Sequence, residues 1–263
     1  MIALSRCLVI SRKRSGMVTF AASITCLVLL ATFSANLSAS FTNTGDISLL
    51  APLTDITSLD LHSSPMADLS VLNSFPNLTS LDLSNSEISD LSPLSSLTGL
   101  TTLFLDSNRI RDLSPLSTLT SLRILRLGNN RITDVSPLAS LPNLTSLSLG
   151  NNLIVDISSL ASLTNLTSLS LGDNRIIDVS PLATLTNLTS LNLGNNRTSE
   201  VSSLAGLTGL TALFLDGNRI SDDSSLASLA GPAWLWLSGN PLDAESVQTC
   251  IPRLEERGVE VHW

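Results

Sequence analysis

The hydrophobic positions of the chain repeat every 22 residues. Nine units follow one another without a gap, and when they are aligned on Asn108, seven of the nine carry Asn at that position. Leucine occupies the positions five and three residues before it in all nine units. Two invariant leucines with one variable residue between them predict a short strand with an inner and an outer face. The aligned positions are Ser64, Ser86, Asn108, Asn130, Asn152, Asn174, Asn196, Asn218 and Asn240.

The second half of each unit predicts a turn that ends the extended run. Ser136 is the predicted N-cap of this turn, and Pro137 is its first helical residue, because the missing N–H of proline would be unpaired there in any case. Burying seven aliphatic side chains contributes roughly 10–20 kcal/mol per unit. Ordering the backbone costs about 1–2 kcal/mol per residue, so a lone unit cannot fold. The units must therefore stack, strand on strand, into one parallel sheet.

A complete unit, as in residues 122–143, reads Leu-x-x-Leu-x-Leu-x-x-Asn-x-Ile-x-Asp-Val-Ser-Pro-Leu-x-x-Leu-x-x. This pattern resembles the leucine-rich repeat family, in its 22-residue bacterial internalin-like type. The resemblance implies an α/β solenoid, a horseshoe with a concave parallel β-sheet and short 3-10 or helical turns on the convex side.

The pattern divides the chain into four segments. Residues 1–40 are predicted to be a signal peptide, because a basic stretch that ends at Arg14 precedes an apolar run, residues 17–33, and the small residues 38–40. An uncleaved anchor is the alternative. A half-repeat without a strand, residues 41–55, leads into the solenoid of nine strands, residues 56–242. The location that follows is secreted or cell envelope, with no membrane contact once the signal is removed.

Residues 243–263 are predicted to cap the solenoid. Val247, Ile251 and Leu254 would share one face of a helix, and a short strand, residues 259–261, would follow. Cys250 lies beside that face and is interpreted as a small core residue rather than a reactive thiol. Because the other two cysteines, Cys7 and Cys26, lie in the predicted signal peptide, no disulfide can form within the mature chain.

Charge excludes one class of partner. The whole chain carries −8, but the four basic residues among residues 1–40 conceal a more acidic body. Residues 41–263 contain ten arginines, no lysine and 22 acidic residues, which gives −12. Because affinity for phosphate backbones needs a basic surface, we expect no nucleic-acid partner.

Two polar columns accompany the leucines. We expect the Asn column to satisfy backbone groups at the turn that leaves each strand, and the Asp column to form local turns. Calcium is the alternative, but it needs six to eight oxygens at one point, whereas these carboxylates are spread one per unit. Arginines that follow the aligned position are expected to pair with the acidic column. The acidic column contains Asp68, Asp90, Asp112, Asp134, Asp156, Asp178, Glu200 and Asp222. The arginines are Arg109, Arg131, Arg175, Arg197 and Arg219.

Conventional catalytic chemistry has no pattern here. The chain contains two histidines, and it lacks the nucleophile-elbow, phosphate-loop and Cys/His metal motifs. We therefore predict no catalytic residues, no metal site, no cofactor and no enzymatic activity.

Binding residues are expected on the concave face, where large side chains are rare because aromatics make up 3% of the chain. Aromatic and Arg side chains dominate the energetics of many interfaces. The outward positions of the predicted strands select Phe104, Arg126, Phe214, Trp234 and Trp236 as candidate ligand-binding residues. For the two tryptophans, an equal alternative is that they cover the last coil beside the cap.

Three hypotheses for function follow. The first is an exported scaffold that binds a protein or peptide on its concave face. The second is a module that binds carbohydrate or cell-surface glycans through the Ser, Thr and Asn side chains of the sheet. The third is a structural spacer with no dedicated ligand. Four Asn-Leu-Thr triplets, at Asn77, Asn143, Asn165 and Asn187, match the N-glycosylation pattern, although a turn requirement also explains Asn there.

Overall fold

One sheet runs through the part of the chain that the structure describes. The computed structural model describes residues 55–65, 68–228 and 234–263, together with three short strands nearer the N-terminus. In these parts, thirteen strands pair in chain order, all in parallel except β1 with β2. The strands are β1 (Ile10–Arg12), β2 (Val18–Phe20), β3 (Asn36–Ala39), β4 (Ser58–Asp60), β5 (Ser80–Asp82), β6 (Thr102–Phe104), β7 (Ile124–Arg126), β8 (Ser146–Ser148), β9 (Ser168–Ser170), β10 (Ser190–Asn192), β11 (Ala212–Phe214), β12 (Trp234–Trp236) and β13 (Glu260–His262).

The register of the sheet follows the 22-residue period of the sequence. From β4 to β12, each residue pairs with the residue 22 positions away, as Leu125 does with Leu103 and Leu147. The eighteen invariant leucines of these strands are at most 1% exposed. Equal side chains therefore stack into continuous buried columns along the solenoid. This arrangement confirms the predicted fold class, a leucine-rich repeat solenoid with a parallel sheet on one face.

Short 3-10 turns line the opposite side, and their start differs from the prediction. Ser136 is the first residue of its turn rather than the N-cap, and Val135, the N-cap, makes no side-chain capping bond. The Ser136 N–H instead donates to Asp134 Oδ1 at 2.8 Å. A carboxylate two residues earlier accepts this bond in an Asx turn, which leaves the serine hydroxyl out of the cap. The 3-10 turns are Ser70–Ser74, Ser92–Ser96, Ser114–Thr118, Ser136–Ser140, Ser158–Ser162, Ser180–Thr184, Ser202–Gly206 and Ser224–Ser228.

The N-terminal end carries strands that the sequence analysis does not predict. Strand β3 pairs in parallel with β4 and places Leu37 opposite Leu59, again 22 residues apart. The predicted half-repeat, residues 41–55, lies outside the described residues except for Asp55, and its expected lack of a preceding strand is wrong. An open sheet leaves backbone groups unpaired at its edge, and β3 pairs those of β4. Removal of residues 1–40 as a signal peptide stays a prediction.

The C-terminal end is closed by a helix and a strand. A π-helical turn, Ser246–Cys250, continues into helix α1 (Ile251–Glu256), whose Ile251 and Leu254 are buried. Cys250 is 5% exposed, as expected of a core residue. Gly258, with φ of 85°, turns the chain into β13, which pairs with β12. No helix among the described residues is long and apolar enough to cross a membrane.

Candidate ligand-binding face

The Asn column joins each coil to the one before it. Asn152 Nδ2 donates to the carbonyl oxygens of Leu149 at 2.9 Å and Leu127 at 3.0 Å, while its Oδ1 accepts the N–H of Ile132 at 3.0 Å. The same three contacts recur at Asn174 and Asn196. One amide thus satisfies backbone groups of two coils, which confirms the structural interpretation of this column.

The acidic column is engaged locally. Asp90, Asp112, Asp156 and Asp178 each accept the N–H of the serine two residues later at 2.8 Å. Bonds from these serines lower the pKa of all four carboxyl groups. Within the described residues, no group of three or more His, Cys, Asp or Glu side chains could hold a metal ion.

The expected pairing of the arginines with this column is wrong. Arg109 Nη2 pairs with Glu87 Oε2 at 2.9 Å. Glu87 is not a member of the acidic column, because it occupies in the preceding coil the same repeat position as Arg109. The remaining members of the set make no ion pair with the described residues. Backbone N–H groups already bind the column carboxylates, so the guanidinium groups extend into solvent. The unpaired arginines are Arg131, Arg175, Arg197 and Arg219.

Three of the Asn-x-Thr triplets also have a structural use. The Nδ2 atoms of Asn143, Asn165 and Asn187 each donate to a backbone carbonyl of the preceding coil at 2.9 Å. This contact explains asparagine at these positions through the turn, and Nδ2 is also the atom that N-glycosylation would modify.

On the concave face, the residues between the two invariant leucines of β4 to β12, together with His262 at the equivalent position of β13, form what we call the concave ladder. Each member pairs in register with the next, and together they form a row across the sheet. Along the row, carboxylates are followed by Phe104 and Arg126, then by small polar residues and then by aromatic rings. Its members are Asp60, Asp82, Phe104, Arg126, Ser148, Ser170, Asn192, Phe214, Trp236 and His262.

The first candidate pair lies on neighbouring strands β6 and β7. Arg126 Cζ lies 5.0 Å from the centroid of the Phe104 ring, in a cation–π contact. Arg126 is exposed and Phe104 is half-buried. This contact holds the long arginine side chain over the sheet and offers a partner both a charge and an apolar surface.

The second group, the aromatic cluster, contains Phe214, Trp236 and His262. The Phe214 and Trp236 ring centroids lie 6.1 Å apart, and His262 stacks on Trp236 at 4.2 Å. Trp236 is 38% exposed, and Trp234, which is in register with Glu260, is 50% exposed. Trp236 therefore contacts β13, as expected if it covers the last coil beside the cap. Both tryptophans nevertheless leave ring surface exposed to a partner.

The structure thus places four of the five candidate residues in two groups rather than in one site, and Trp234 lies outside both groups, in register with Glu260. Phe104 and Phe214 are five strands apart, or about 24 Å at the usual spacing of strands in a sheet. Sequence reasoning missed His262 as a member of the face. Trp236 pairs with a residue 26 positions later instead of 22, so alignment on the repeat does not reveal it.

Between the two groups lies a shallow polar trough of about 290 Å³. Its lining includes Gly128, Gly150 and Gly172 together with Ser148 and Ser170 of the concave ladder. It also includes residues in the left-handed conformation, with φ between 53° and 57°, which Asn and Asp tolerate well. These left-handed residues are Asn129, Asn151 and Asp173.

Asp106 closes the trough at the end nearest Arg126. Its Oδ1 accepts the Gly128 N–H at 2.8 Å. Burial raises the pKa of the Asp106 carboxyl group, although the Gly128 N–H and the Arg126 charge act in the opposite direction. The trough is therefore lined by hydroxyl, amide and carboxylate groups, which suit a polar ligand with several hydroxyls.

The far end of the ladder is acidic. His62 Nδ1 lies 2.7 Å from Asp60 Oδ1, and Asp82 Oδ1 accepts the Ser84 N–H at 2.8 Å. The bond to Asp60 is the largest cause that raises the pKa of His62, and burial partly opposes it. His62 therefore stays protonated to higher pH than an isolated histidine and neutralises part of this acidic end.

Comparison with known families and structures agrees with this geometry. The family model for leucine-rich repeats, in two-copy units, matches residues 76–118, 120–162, 164–206 and 186–230, which together span more than half of the chain. The chain belongs to the leucine-rich repeat family. The repeat fold is that of a protein-interaction module.

Among solved structures, the chain is similar to internalins of Listeria monocytogenes. An internalin (inlF) matches with a TM-score of 0.80 at 36% identity, over 86% of this chain and 66% of that one. Internalin C2 (inlC2) matches with a TM-score of 0.66 at 40% identity, over 69% of this chain and 80% of that one. The functional domain of InlJ, at 24% identity and a TM-score of 0.68 over 85% of this chain and 48% of that one, shares the fold. Comparison with curated protein sequences finds no significant match.

Proposed function

We propose that this is an exported, non-enzymatic leucine-rich repeat protein that binds a protein or peptide on its concave face. The observation that carries the proposal is the exposure of two groups of rings on the concave ladder of a chain with 3% aromatics. Arg and aromatic side chains are the usual anchors of protein interfaces. The basic and apolar pattern of residues 1–40 supports export to the cell surface or beyond.

Capture of a partner by the purified protein tests this proposal. The triple variant Phe104→Ala, Arg126→Ala, Phe214→Ala should lose capture of proteins cross-linked from the native envelope fraction, because it removes an anchor from each group. Truncating a well-placed anchor costs about 2 kcal/mol or more, which is roughly 30-fold in affinity. Unchanged capture by the triple variant would reject the site.

A matched control lies on the flank of the solenoid. Arg131 and Ile177 are exposed and lie away from the concave ladder, so the double variant Arg131→Ala, Ile177→Ala removes similar surface without touching either group. It should capture the same proteins as the unmodified chain. Equal loss in both variants, or no specific capture by the unmodified chain, would favour the structural-spacer hypothesis.

A carbohydrate ligand is the second candidate, and the polar trough favours it. Hydroxyl, amide and carboxylate groups line the trough, and Arg126 with Phe104 stands at one end. Sugars are recognised by such polar groups together with ring faces. A glycan array should then give a signal that the substitutions Ser148→Leu and Ser170→Leu abolish. The triple variant of Phe104, Arg126 and Phe214 should keep part of that signal. An array without signal contradicts this candidate.

A further inference from the structure

One buried column of the solenoid changes its chemistry near the C-terminal end. The residue five positions after each member of the Asn column is aliphatic through the middle of the solenoid and at most 1% exposed. In the coil that contains β11, the equivalent residue is Asp223, which is 0% exposed. The preceding members of the column are Leu91, Leu113, Val135, Ile157, Val179 and Val201.

The Asp223 carboxyl group lies against the π-helical turn of the closing segment, which we define as residues 243–263. Within the described residues, neither of its oxygens has a hydrogen-bond partner. The Ser246 hydroxyl accepts the Asp223 N–H at 3.3 Å and donates its own proton to the Ser221 carbonyl at 3.2 Å. The Ser246 hydroxyl is thus already engaged by two backbone groups.

The charges around Asp223 do not compensate it. Burial is the largest cause that raises its pKa, the Ser246 and Cys250 side chains act in the opposite direction, and Asp222 raises it further. On the closing segment, the nearby titratable groups are Cys250, Glu245 and Asp243, none of which is cationic. The stretch that leads from this coil into β12, residues 227–233, contains no charged residue. Among the described residues, no basic side chain is a cause of the pKa shift of this carboxyl group.

We infer that the closing segment docks on the solenoid most firmly when Asp223 carries a proton and loosens as the pH rises. A carboxylate buried without a partner is costly, whereas a protonated carboxyl group can donate its hydrogen to a neighbouring oxygen. Undocking of the segment returns the carboxylate to water. The stabilisation is complete below the ordinary pKa of 3.8 and is lost as the pH rises through the raised pKa of the docked state.

The closing segment also forms part of the concave face, through β13. This strand belongs to the closing segment and carries His262, whose ring stacks on Trp236. Docking of the segment and completion of the aromatic cluster are therefore coupled. The inference stands on the packing of Asp223 and does not require a partner on the concave face.

Site-resolved amide hydrogen exchange on the full chain tests this inference. The Leu237 N–H donates to the His262 carbonyl at 2.6 Å and reports docking of β13, while the Leu149 N–H, bonded to Ser170 at 2.8 Å, reports the central sheet. Protection factors, taken relative to the intrinsic exchange rate at each pH, should fall for Leu237 between pH 4 and pH 8 and stay constant for Leu149.

Two variants isolate the carboxyl group. Asp223→Val restores the side chain of the two preceding coils and should raise the protection of Leu237 about tenfold or more at pH 7, because it removes a buried unsatisfied charge. Asp223→Asn keeps the size of the side chain and should flatten the pH dependence. Equal protection of Leu237 in the unmodified chain and in both variants at pH 7 would overturn the inference.

The control variant is Asp222→Asn, which removes the neighbouring exposed carboxylate but keeps an acceptor for the Ser224 N–H. It should keep the fall in Leu237 protection, with the midpoint moved to lower pH because the Asp222 charge contributes to the raised pKa of Asp223. A slope that persists unchanged in Asp223→Val would assign the effect to groups other than Asp223 and would also contradict the inference.

Discussion

At the scale of single residues, side-chain amides satisfy the backbone of this protein where long helices would do so in other folds. The described helix and turns are five or six residues long, so most coil backbone finds no partner within its own coil. The Asn column fills this gap by joining carbonyl and N–H groups of two coils. Each coil is then tied to its neighbour by hydrogen bonds that equal leucines alone could not provide.

Thr198 is a local defect in the same region. It occupies the column that holds Ile176 and Ile220 in the adjacent coils, is 0% exposed, and its hydroxyl has no hydrogen-bond partner in the described residues. Replacing it by Val removes the buried hydroxyl at nearly constant volume. We expect Thr198→Val to increase the free energy of unfolding by about 1–3 kcal/mol, the usual cost of an unsatisfied buried polar group.

Urea unfolding measures this change, and Thr198→Ser is the matched control. Serine keeps the hydroxyl and loses a methyl group, so its free energy of unfolding should fall by about 1 kcal/mol. A Thr198→Val protein no more stable than the unmodified chain would show that the hydroxyl finds a partner in solution.

At the scale of elements, the sequence predicts the positions of the strands and turns well, but it predicts less well which atoms cap the turns. A strict 22-residue interval leaves one register for the strands, because any other would move a leucine column out of the core. The start of each convex turn is less determined, since Asp, Ser and Pro can all begin a turn. The structure selects the Asp carboxylate as the acceptor, two residues before the residue that sequence reasoning expected to cap.

The candidate face was predictable where the period holds and was missed where it fails. Phe104 and Arg126 follow from the repeat alone, because both lie on strands of regular spacing. His262 does not follow, because four extra residues separate β13 from β12. The left-handed residues beside the trough also escaped notice, although their column contains only Ser, Asn, Asp and Gly. Asp223 was visible in the sequence as the first charged residue in a column that is aliphatic in all preceding coils.

At the scale of the whole molecule, the carboxyl groups with shifted pKa values form two sets with opposite responses to pH. Six exposed carboxylates along the convex turns accept bonds from the serine two residues later, and these bonds lower their pKa values. Burial raises the pKa of Asp223 at the closing segment and of Asp106 beside the trough. The set with lowered pKa values contains Asp68, Asp90, Asp112, Asp156, Asp178 and Asp222.

The two sets predict that acid weakens the solenoid body while it tightens the closing segment. For the convex carboxylates, stability is present above the ordinary pKa of 3.8 and is lost as the pH falls through the lowered values.

Thermal unfolding between pH 5 and pH 2 should therefore show a falling midpoint. The quadruple variant of Asp90, Asp112, Asp156 and Asp178 to Asn keeps the acceptors without their titration, so its midpoint should fall less. If the variant and the unmodified chain lose stability in parallel, the turn carboxylates are not the cause. A rise in Leu237 protection between pH 7 and pH 4, ahead of that melting, would distinguish the response of the end from that of the body.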